Sequence, residues 1–358
     1  MRTMRWALPC LLLLPITTAM AANITVRPDR NPATLEESFH LIFEATGDLD
    51  GNPDFAPLKK DFRILSQSSI SNVSIVNSRI HNIKTWKLSV FALRDGNIPI
   101  PPVAFGKDRS PAASVVVKRS RAGQAGQQQD DVFVELKVNP QQVYVQQQLM
   151  AKVKLYRAVG TPNATLTGPE LESGRAITEH LEQDSKYETV IGNRRYHVLE
   201  RNFAIYPQES GRLKFKPAVF QGQVDRNVGG RKQREHIIRR SAAVELNVKP
   251  IPAAFPGAHW LPAARVELSE QWSKDPSTMQ VGEPVTRTLN ITVTGLTASQ
   301  LPVLEGALDG SFKQYPDQPQ LETRKNATGS TAIRRDKVAL IPVIAGDFTL
   351  PEIKLPWW

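Results

Sequence analysis

The sequence has almost no cysteine. Its single cysteine among 358 residues is Cys10, which lies inside an apolar segment close to the N-terminus. Pro9 precedes it and the apolar segment continues after it, so the position does not fit a lipoprotein site. Removal of this segment leaves a chain without thiols, which excludes disulfide scaffolds and thiolate metal sites. Packing alone must then stabilise the protein.

The first 21 residues have the pattern of a signal peptide. A basic start precedes an apolar core too short to span a bilayer, and small residues stand at Ala19 and Ala21. We predict cleavage after Ala21, with cleavage after Ala22 as the alternative. The mature chain is then exported, and its formal net charge falls from +10 to about +8. We interpret this charge as a solvated basic surface near anionic lipid, not as a nucleic-acid site.

The sequence also lacks the residue spacings of catalytic and metal sites. None of its six histidines belongs to an HExxH pair, and no GxSxG elbow is present. In "GDLDGNPDF" the residues Asp48, Asp50 and Asp54 alternate as in a calcium loop. However, Gly51 takes the fourth place, and Lys59 takes the twelfth, where a bidentate glutamate is needed. We predict no enzyme activity, no metal site and no cofactor, and we interpret the stretch as an acidic turn before a short helical segment.

Proline is abundant beside good strand patterns. The chain has 27 prolines and 21 glycines, which favours short strands and turns over long helices. Three stretches share a glycine, alternating apolar residues, a proline and a final apolar pair. They are "LRDGNIPIPPVAF", "QESGRLKFKPAVF" and "VIAGDFTLPEIKL", with glycines at Gly96, Gly211 and Gly346. Each predicts a corner: a glycine turn with positive φ, a short strand, a proline break and a second short strand.

Each corner has a partner upstream. An alternating strand pattern follows Leu35, Val145 and Val281, and these residues precede the three glycines by 61, 66 and 65 positions. Units of about 100 residues built from about seven short strands are typical of immunoglobulin-like sandwiches. The sequence therefore predicts an all-β fold of tandem immunoglobulin-like β-sandwich domains in three repeats, the last of them incomplete.

Changes in composition separate the three repeats. The linkers are recognised by their glutamine, glycine or proline content. The predicted segments are the signal peptide 1–21, repeat 1 (22–118), a Gln- and Gly-rich linker (119–131), repeat 2 (132–249), a proline-rich linker (250–264) and repeat 3 (265–358).

The ends of the repeats differ. Repeats 1 and 2 close with the similar strand patterns "SPAASVVVK" and "SAAVELNVK", whereas repeat 3 stops at Trp358 without such a strand. Either the last repeat is incomplete or the chain is cut short, and we favour the second interpretation. Membrane anchoring of a full-length form therefore stays open.

Two stretches invite a binding interpretation. The segment 65–80, "LSQSSISNVSIVNSRI", has serines without a nearby base, and its alternation predicts a strand pair joined near Asn77. Such a pair is either a solvated hairpin or a docking edge for another strand. The segment 226–240, "RNVGGRKQREHIIRR", is rich in arginine and lysine and predicts a hairpin loop. That loop is either merely solvated or contacts a membrane surface.

Several long stretches resemble the BatD family of bacterial oxygen-tolerance (aerotolerance) proteins. They are "VRPDRNPATLEESFHLIFEATG", "PDFAPLKKDFRIL", "NSRIHNIKTWKLSVFALRDGNIPIPPVAFG" and "LPEIKLPWW". The resemblance runs from Val26 to Trp358 and is strongest from Pro53 to Phe105. Its motifs are structural rather than catalytic, so no active-site residue is implied.

The resemblance implies an exported protein whose immunoglobulin-like repeats lie outside the cytoplasmic membrane, with a transmembrane helix beyond them. It also implies von Willebrand A-domain membrane proteins as partners and, indirectly, a MoxR-type ATPase system. We therefore predict a non-enzymatic scaffold that supports oxygen or stress tolerance through protein–protein contacts. The alternative is a periplasmic module that binds glycan or unfolded envelope polypeptide, which an exposed aromatic row or a deep pocket would favour.

Overall fold

The computed structural model describes the chain from residue 22 onward. The chain divides into two compact units, Met1–Ser120 and Arg121–Trp358. The predicted cleavage residues Ala19 and Ala21 and most of the linker at 119–131 lie outside the described residues. The described residues are 22–119 without 48 and 77–78, and 130–358 without 182–183, 229–230, 305–307 and 309, with side chains undescribed at 74–81 and 226–233 as well.

Repeat 1 consists of short strands with a 3₁₀ helix at Ala56–Lys60. Its strands are β1 (Asn23–Pro28), β2 (Ala33–Thr34), β3 (Phe39–Thr46), β4 (Pro53–Asp54), β5 (Phe62–Val76), β6 (Arg79–Ala92), β7 (Gly96–Ile100), β8 (Ala104–Phe105), β9 (Asp108–Arg109) and β10 (Ala113–Lys118). They form the sheets β1-β3-β6-β5, β2-β10-β7 and β4-β8-β9. Every second residue of β3 is buried, because one face of the strand packs on the core and the other meets solvent.

The corner predicted in repeat 1 is confirmed. Gly96 begins β7 and has a φ of +105°, a value that only a residue without a Cβ adopts easily. Two prolines then separate β7 from β8, whose last residue, Phe105, is fully buried. The Phe105 ring lies 5.0 Å from Trp86 and 6.3 Å from Phe43 between ring centroids. The proline break therefore directs an aromatic side chain into the centre of the core.

Repeat 2 has the same plan with longer hairpins. Its strands are β11 (Val132–Asn139), β12 (Gln142–Tyr144), β13 (Leu149–Arg157), β14 (Thr165–Leu166), β15 (Leu171–Ser173), β16 (Ala176–His180), β17 (Ser185–Ile191), β18 (Arg194–Pro207), β19 (Gly211–Phe215), β20 (Val219–Val228), β21 (Arg231–Arg240) and β22 (Val244–Lys249). The sheets are β11-β13-β18-β16 with β17 also on β18, β12-β22-β19-β15, and β14-β20-β21. Its corner is also confirmed, because Gly211 has a φ of +112° and begins β19.

Repeat 3 repeats the first of these sheets. Its strands are β23 (Arg265–Trp272), β24 (Val285–Thr294), β25 (Phe312–Pro316), β26 (Gln320–Asn326) and β27 (Gly329–Pro342), with 3₁₀ helices at Pro276–Thr278 and Ala298–Gln300. They form one sheet, β23-β24-β27-β25 with β26 also on β27. This order matches that of β11, β13, β18, β16 and β17. The described residues of repeat 3 contain no counterpart of the second sheet, β12-β22-β19-β15.

The prediction of a corner in repeat 3 is wrong, because its two short strands are not formed. Gly346 does not adopt a positive φ, and no strand is assigned to the described residues 343–358. The physical reason is visible in the other repeats. There β7 and β19 pair with the closing strands β10 and β22. The segment 346–350 has no such strand beside it in the described part of the chain, so its backbone has no ladder to join.

Repeats 2 and 3 are joined by a buried polar network within the second unit. The Ser330 backbone N–H donates to Gln148 Oε1 at 2.8 Å, and the Ser330 hydroxyl donates to the same oxygen at 3.0 Å. The Tyr206 hydroxyl also contacts both Ser330 Oγ and Gln148 Oε1. Burial raises the pKa of the Tyr206 phenol to about 12, so this group remains a neutral donor.

An aromatic cluster lies beside this network. The Trp260 ring is 5.9 Å from Tyr144 and 4.8 Å from Phe255 between centroids, and the Trp358 ring is 6.1 Å from Tyr144. The indole N–H of Trp260 donates to the Val145 carbonyl at 2.8 Å. The predicted proline-rich linker, which contains Trp260, is thus packed against repeat 2 through its aromatic side chains.

Candidate protein-binding surfaces

The outer edge of β5 is the first candidate surface. β5 is the last strand of the sheet β1-β3-β6-β5, and β6 is its only strand neighbour among the described residues. The strand pair predicted for the serine-rich segment is therefore present, and its first strand is an edge strand. Because backbone N–H and C=O groups alternate in direction along a strand, half of those in β5 point away from the sheet.

Beyond a bulge near its start, β5 lacks the usual protection of an edge strand. Natural edges carry lysine or other charges, proline or bulges, which prevent pairing with a second chain. The stretch from Ile64 to Val76 contains no charged residue, no proline and no glycine. By contrast, the opposite edge strand β1 contains Arg27 and Pro28. A bulge between Ile64 and Ser66 is the one irregularity in the β5–β6 register.

Two exposed apolar side chains lie on this edge strand. Ile70 is 61% exposed and Val73 is 65% exposed, although both would be expected in a core by residue type. They lie on opposite faces of β5, because their separation is an odd number of residues. The neighbouring strand β3 ends at Thr46, which pairs with Ile83 of β6. The tip of the β5–β6 hairpin, from Ile83 towards its turn, therefore extends past β3. An incoming strand would find both backbone partners and apolar contacts here.

The inner face of the repeat 3 sheet is the second candidate surface. In repeat 2 the inward side chains of the matching sheet, β11-β13-β18-β16, are covered. Val134 of β11, for example, is 7% exposed. The corresponding residue of β23 is Leu268, which pairs with Ile291 and is 40% exposed. The part of this sheet that faces a cavity, which we call the open face, includes Leu289 and Leu340, although these two side chains are only 6% and 1% exposed.

The open face borders a cavity of about 500 Å³. The walls are mainly apolar side chains of β24, β25 and β27 and of the connection that follows the 3₁₀ helix Ala298–Gln300. Its lining residues are Arg287, Leu289, Val303, Leu304, Leu308, Gln314, Pro316, Asp317, Pro319, Arg334, Asp336, Lys337, Val338 and Leu340. A cavity of this size is within the range of ligand pockets.

Two buried arginines lie in this cavity, and each has a carboxylate partner. Arg287 is 8% exposed and its Nε lies 2.5 Å from Glu270 Oε1, while its guanidinium stacks over the Trp272 ring. Arg334 is 7% exposed and its Nε donates to Asp336 Oδ2 at 2.8 Å. Because a buried charge is tolerated only when it is paired, these ion pairs permit arginine in a core position. The cavity is therefore lined by eight apolar residues and six polar or charged ones, and its arginine charges are compensated.

The histidines that the sequence analysis considered have ordinary strand or loop partners. His40 lies on β3, where its N–H donates to Asp29 Oδ1 at 3.0 Å and its Nδ1 lies 2.8 Å from Asp29 Oδ2. Burial raises the pKa of the Asp29 carboxyl, but the hydrogen bonds from His40 and the charge of Arg30 outweigh burial and lower it to about 2. His197 lies on β18, 3.3 Å from Glu188. No group of three or more metal-ligating side chains occurs in the described residues.

The acidic stretch at 47–55 has local structural partners. Asp54 Oδ1 accepts the Ala56 N–H at 2.9 Å, at the start of the 3₁₀ helix Ala56–Lys60. Asp50 lies 3.6 Å from Lys107. Asp48 lies outside the described residues. The predicted short helical segment after an acidic turn is therefore present.

A cluster of ionisable groups lies on the β13–β18 sheet. Glu200 contacts Lys154 at 2.9 Å and Lys152 at 3.3 Å, and it accepts the Tyr187 hydroxyl at 3.0 Å. Burial raises the pKa of Glu200, but these hydrogen bonds outweigh burial and lower it. The same contacts raise the pKa of Lys154 although burial opposes this. A lysine held in its charged form and a carboxylate held ionised form a structural ion cluster, not a base or nucleophile.

The basic segment 226–240 differs from its prediction. Most of it is strand β21, paired with β20, and not a loop. In this strand Glu235, Ile237 and Arg239 share one face and are buried. Among the described side chains, Arg234 pairs with Asp225 at 2.9 Å and Arg240 is exposed. The side chains of 226–233 lie outside the description, so the membrane contact remains a prediction.

These surfaces belong to a series of immunoglobulin-like β-sandwich repeats, and the predicted all-β fold is confirmed. The family model described as the BatD DUF11-like domain matches residues 26–117. Repeat 1 is thus similar to the BatD DUF11-like domain, and over residues 26–117 this match supports the resemblance to the BatD family. No helix in the described part of the chain has the length and hydropathy needed to span a membrane.

Comparison with other known proteins adds little. A search of the curated proteins gave no match. Among solved structures, the chain is similar to FdeC, an Escherichia coli adhesin described as broadly conserved and as eliciting protection against urinary tract infections. The two are 12% identical, and the similarity covers 90% of this chain and 88% of that chain at a TM-score of 0.17. So low a TM-score supports no argument about fold or function.

Sequence reasoning missed the open face entirely. Its residues are spread over β23, β24 and β27, and no short motif marks them. The exposed edge of β5 was anticipated as one of two interpretations of the serine-rich segment.

Proposed function

We propose that the protein is a non-enzymatic exported scaffold of a BatD-type envelope complex, supporting oxygen or stress tolerance through protein–protein contacts. The observation that carries this proposal is the uncharged stretch Ile64–Val76 of the edge strand β5. Its backbone is open to an added strand, and Ile70 and Val73 are exposed beside it. Strand addition to a sheet edge is a common way of binding an extended segment of a partner.

The partners in this proposal are von Willebrand A-domain membrane proteins and, through them, a MoxR-type ATPase system. The BatD match of residues 26–117 supports this assignment, because it includes the whole of β5 and β6. The protein then acts on the periplasmic side of the cytoplasmic membrane. Its basic segment 226–240 supplies a second, weaker contact with the membrane surface.

The test is binding between the full chain and the purified periplasmic part of a von Willebrand A-domain membrane protein from the same organism. Replacing Ile70 and Val73 together with lysine places two charges on the edge, and we expect at least about a tenfold loss of affinity. The matched control is Val116→Lys. Val116 is 40% exposed and lies on β10, the central strand of another sheet of the same repeat. Calorimetry should show unchanged binding for Val116→Lys. Equal affinity for the edge variant and the natural chain would refute the edge as the docking site.

A second candidate function is a periplasmic module that binds glycan or unfolded envelope polypeptide. The cavity of about 500 Å³ in repeat 3 favours it. Its apolar walls suit an apolar side chain better than a sugar ring, since the described wall contains no exposed aromatic platform. A comparison of chitin-type oligosaccharides with short apolar peptides as ligands would decide between the two classes.

A further inference from the structure

We propose that the β5 edge selects its partner strand by spacing. The segment that docks is uncharged and extended, and its two apolar residues lie three positions apart, as Ile70 and Val73 do on β5. This inference rests on the scaffold proposal and names the chemistry of the docking segment. It concerns residues 67–73 of repeat 1, whose side chains are all described and all exposed.

The edge strands at the same place in repeats 2 and 3 are interrupted and charged. In repeat 2 the place of β5 is shared by β16 and β17, which pair with different parts of β18. In repeat 3 it is shared in the same way by β25 and β26 on β27. The charged residues on these strands are Glu179, Lys186, Glu188, Lys313, Glu322, Arg324 and Lys325. Interruption and charge both hinder edge pairing, so of the three equivalent edges β5 is the one that offers a continuous, uncharged ladder.

The usable part of the β5 edge is short. The bulge between Ile64 and Ser66 breaks the register with β6, so the regular ladder begins at Ser66. From Gln67 to Val73 each residue of β5 has one opposite residue on β6. A partner segment of about seven residues would cover this stretch, at about 3.3 Å per residue.

The two apolar side chains lie on different faces of the sheet. Ile70 pairs with Thr85, which pairs with Glu44, so Ile70 lies on the outward, polar face. Val73 lies three residues further on and therefore on the face of the core. Its opposite residue, Asn82, is beyond the last residue pair of β3 and β6, and Val73 is 65% exposed. One apolar contact is thus available on each face.

This arrangement sets the spacing in the partner. Side chains directly opposite each other in two paired strands lie on the same face and contact each other. A partner with apolar residues at positions i and i+3 therefore contacts both Ile70 and Val73, whether it runs parallel or antiparallel to β5. A partner with the usual alternation, at i and i+2, has both apolar residues on one face and contacts only one of the two.

Charge complementarity favours neutral residues at the other positions of the partner. The remaining residues of the stretch are Gln67, Ser68, Ser69, Ser71 and Asn72, none of them charged. Serine and threonine hydroxyls form favourable pairs across strands. A lysine or glutamate in the partner would meet no opposite charge on residues 67–73.

The experiment uses the full chain and synthetic peptides in calorimetry. Peptide TSISTVST has its apolar residues at i and i+3, and peptide TSISVTST has the same composition with the spacing i and i+2. We expect the first to bind about two- to fivefold more tightly, which is the effect of one cross-strand side-chain contact. Peptide TKISTVKT keeps the spacing but adds two lysines, and it should bind more weakly than the first. Slower amide hydrogen exchange at 67–73 should locate the bound peptide.

Two variants test whether Val73 reads the spacing. In Val73→Ser the face of the core loses its apolar contact, so the two neutral peptides should bind equally. Val116→Ser changes a 40% exposed valine on β10, in another sheet of repeat 1, and should keep the preference. A preference that persists in Val73→Ser would overturn the proposal.

Other outcomes separate this inference from the scaffold proposal. If both neutral peptides bind equally and the double variant Ile70→Lys with Val73→Lys loses both, β5 is a docking edge but the spacing is wrong. If neither peptide binds while the A-domain protein does, the spacing is again wrong and the scaffold proposal stands. Slow exchange at 67–73 in a dimer without peptide would assign the edge to a second copy and overturn the inference.

Discussion

Removal of the Gln148 side chain should loosen the junction between repeats 2 and 3. Its Oε1 accepts the Ser330 N–H at 2.8 Å, the Ser330 hydroxyl at 3.0 Å and the Tyr206 hydroxyl at 3.2 Å. In Gln148→Ala the Ser330 hydroxyl can still donate to the Leu296 carbonyl at 3.0 Å, and Tyr206 can still contact Ser330. The Ser330 N–H alone is left without an acceptor. Ser330 is 1% exposed, so this buried donor should cost about 1–3 kcal/mol.

Hydrogen exchange measures this cost at the group concerned. The amide of Ser330 should exchange about 5- to 150-fold faster in Gln148→Ala, since about 1.4 kcal/mol corresponds to a factor of ten. Gln148→Glu keeps an acceptor oxygen and should retain most of the protection at neutral pH. Gln271→Ala removes an exposed glutamine on β23 and serves as the matched control. If the Ser330 amide exchanges at the natural rate in Gln148→Ala, the network does not stabilise the junction.

Three further predictions concern individual side chains. Asp29→Asn should lower the stability of repeat 1 by up to about 2 kcal/mol at neutral pH, because the folded pKa of the Asp29 carboxyl, about 2, lies below the ordinary 3.8. This stabilisation is present above pH 4 and disappears as the pH falls through 2. A denaturation series over pH that showed a constant difference between the two proteins would contradict it. Leu213→Ala should cost about 2–5 kcal/mol because the side chain is fully packed, whereas Phe348→Ala at the 37% exposed counterpart should cost clearly less, which thermal denaturation of both variants can check. Gly211→Ala should destabilise by about 1–2 kcal/mol through its φ of +112° alone, since nothing lies within 4 Å of the added Cβ; unchanged stability would show that the turn relaxes.

The corners and the alternating strands were predictable because their causes are local. Glycine at a positive φ, a proline that cannot donate and a two-residue period are all visible in the sequence at Gly96 and Gly211. The third corner failed because a strand needs a neighbour, and pairing is not a local property. Gln148 and Ser330 are 182 residues apart, so their contact could not be read from any motif.

The basic segment shows a different limit. Its charge suggested a solvated loop, yet β21 buries Glu235 and Arg239 on its inner face. Residue type predicted exposure for Glu235 and Arg239, and the sequence shows no apolar alternation here that would have predicted a strand. The pairing of β21 with β20 is what places both side chains on a buried face with Ile237. The β5 edge was anticipated because strand alternation and the absence of charge are both properties of one contiguous segment.

The neutrality of β5 has a consequence for the conditions under which it binds. Contacts between exposed charges weaken as salt rises, because mobile ions screen them over about 10 Å at 0.1 M. Residues 64–76 carry no charge, so strand addition at this edge should depend little on ionic strength or pH. If the protein is exported as proposed, a neutral edge keeps its affinity at the changing salinity outside the cytoplasm. The basic segment 226–240 should behave in the opposite way, so a salt titration separates the two contacts.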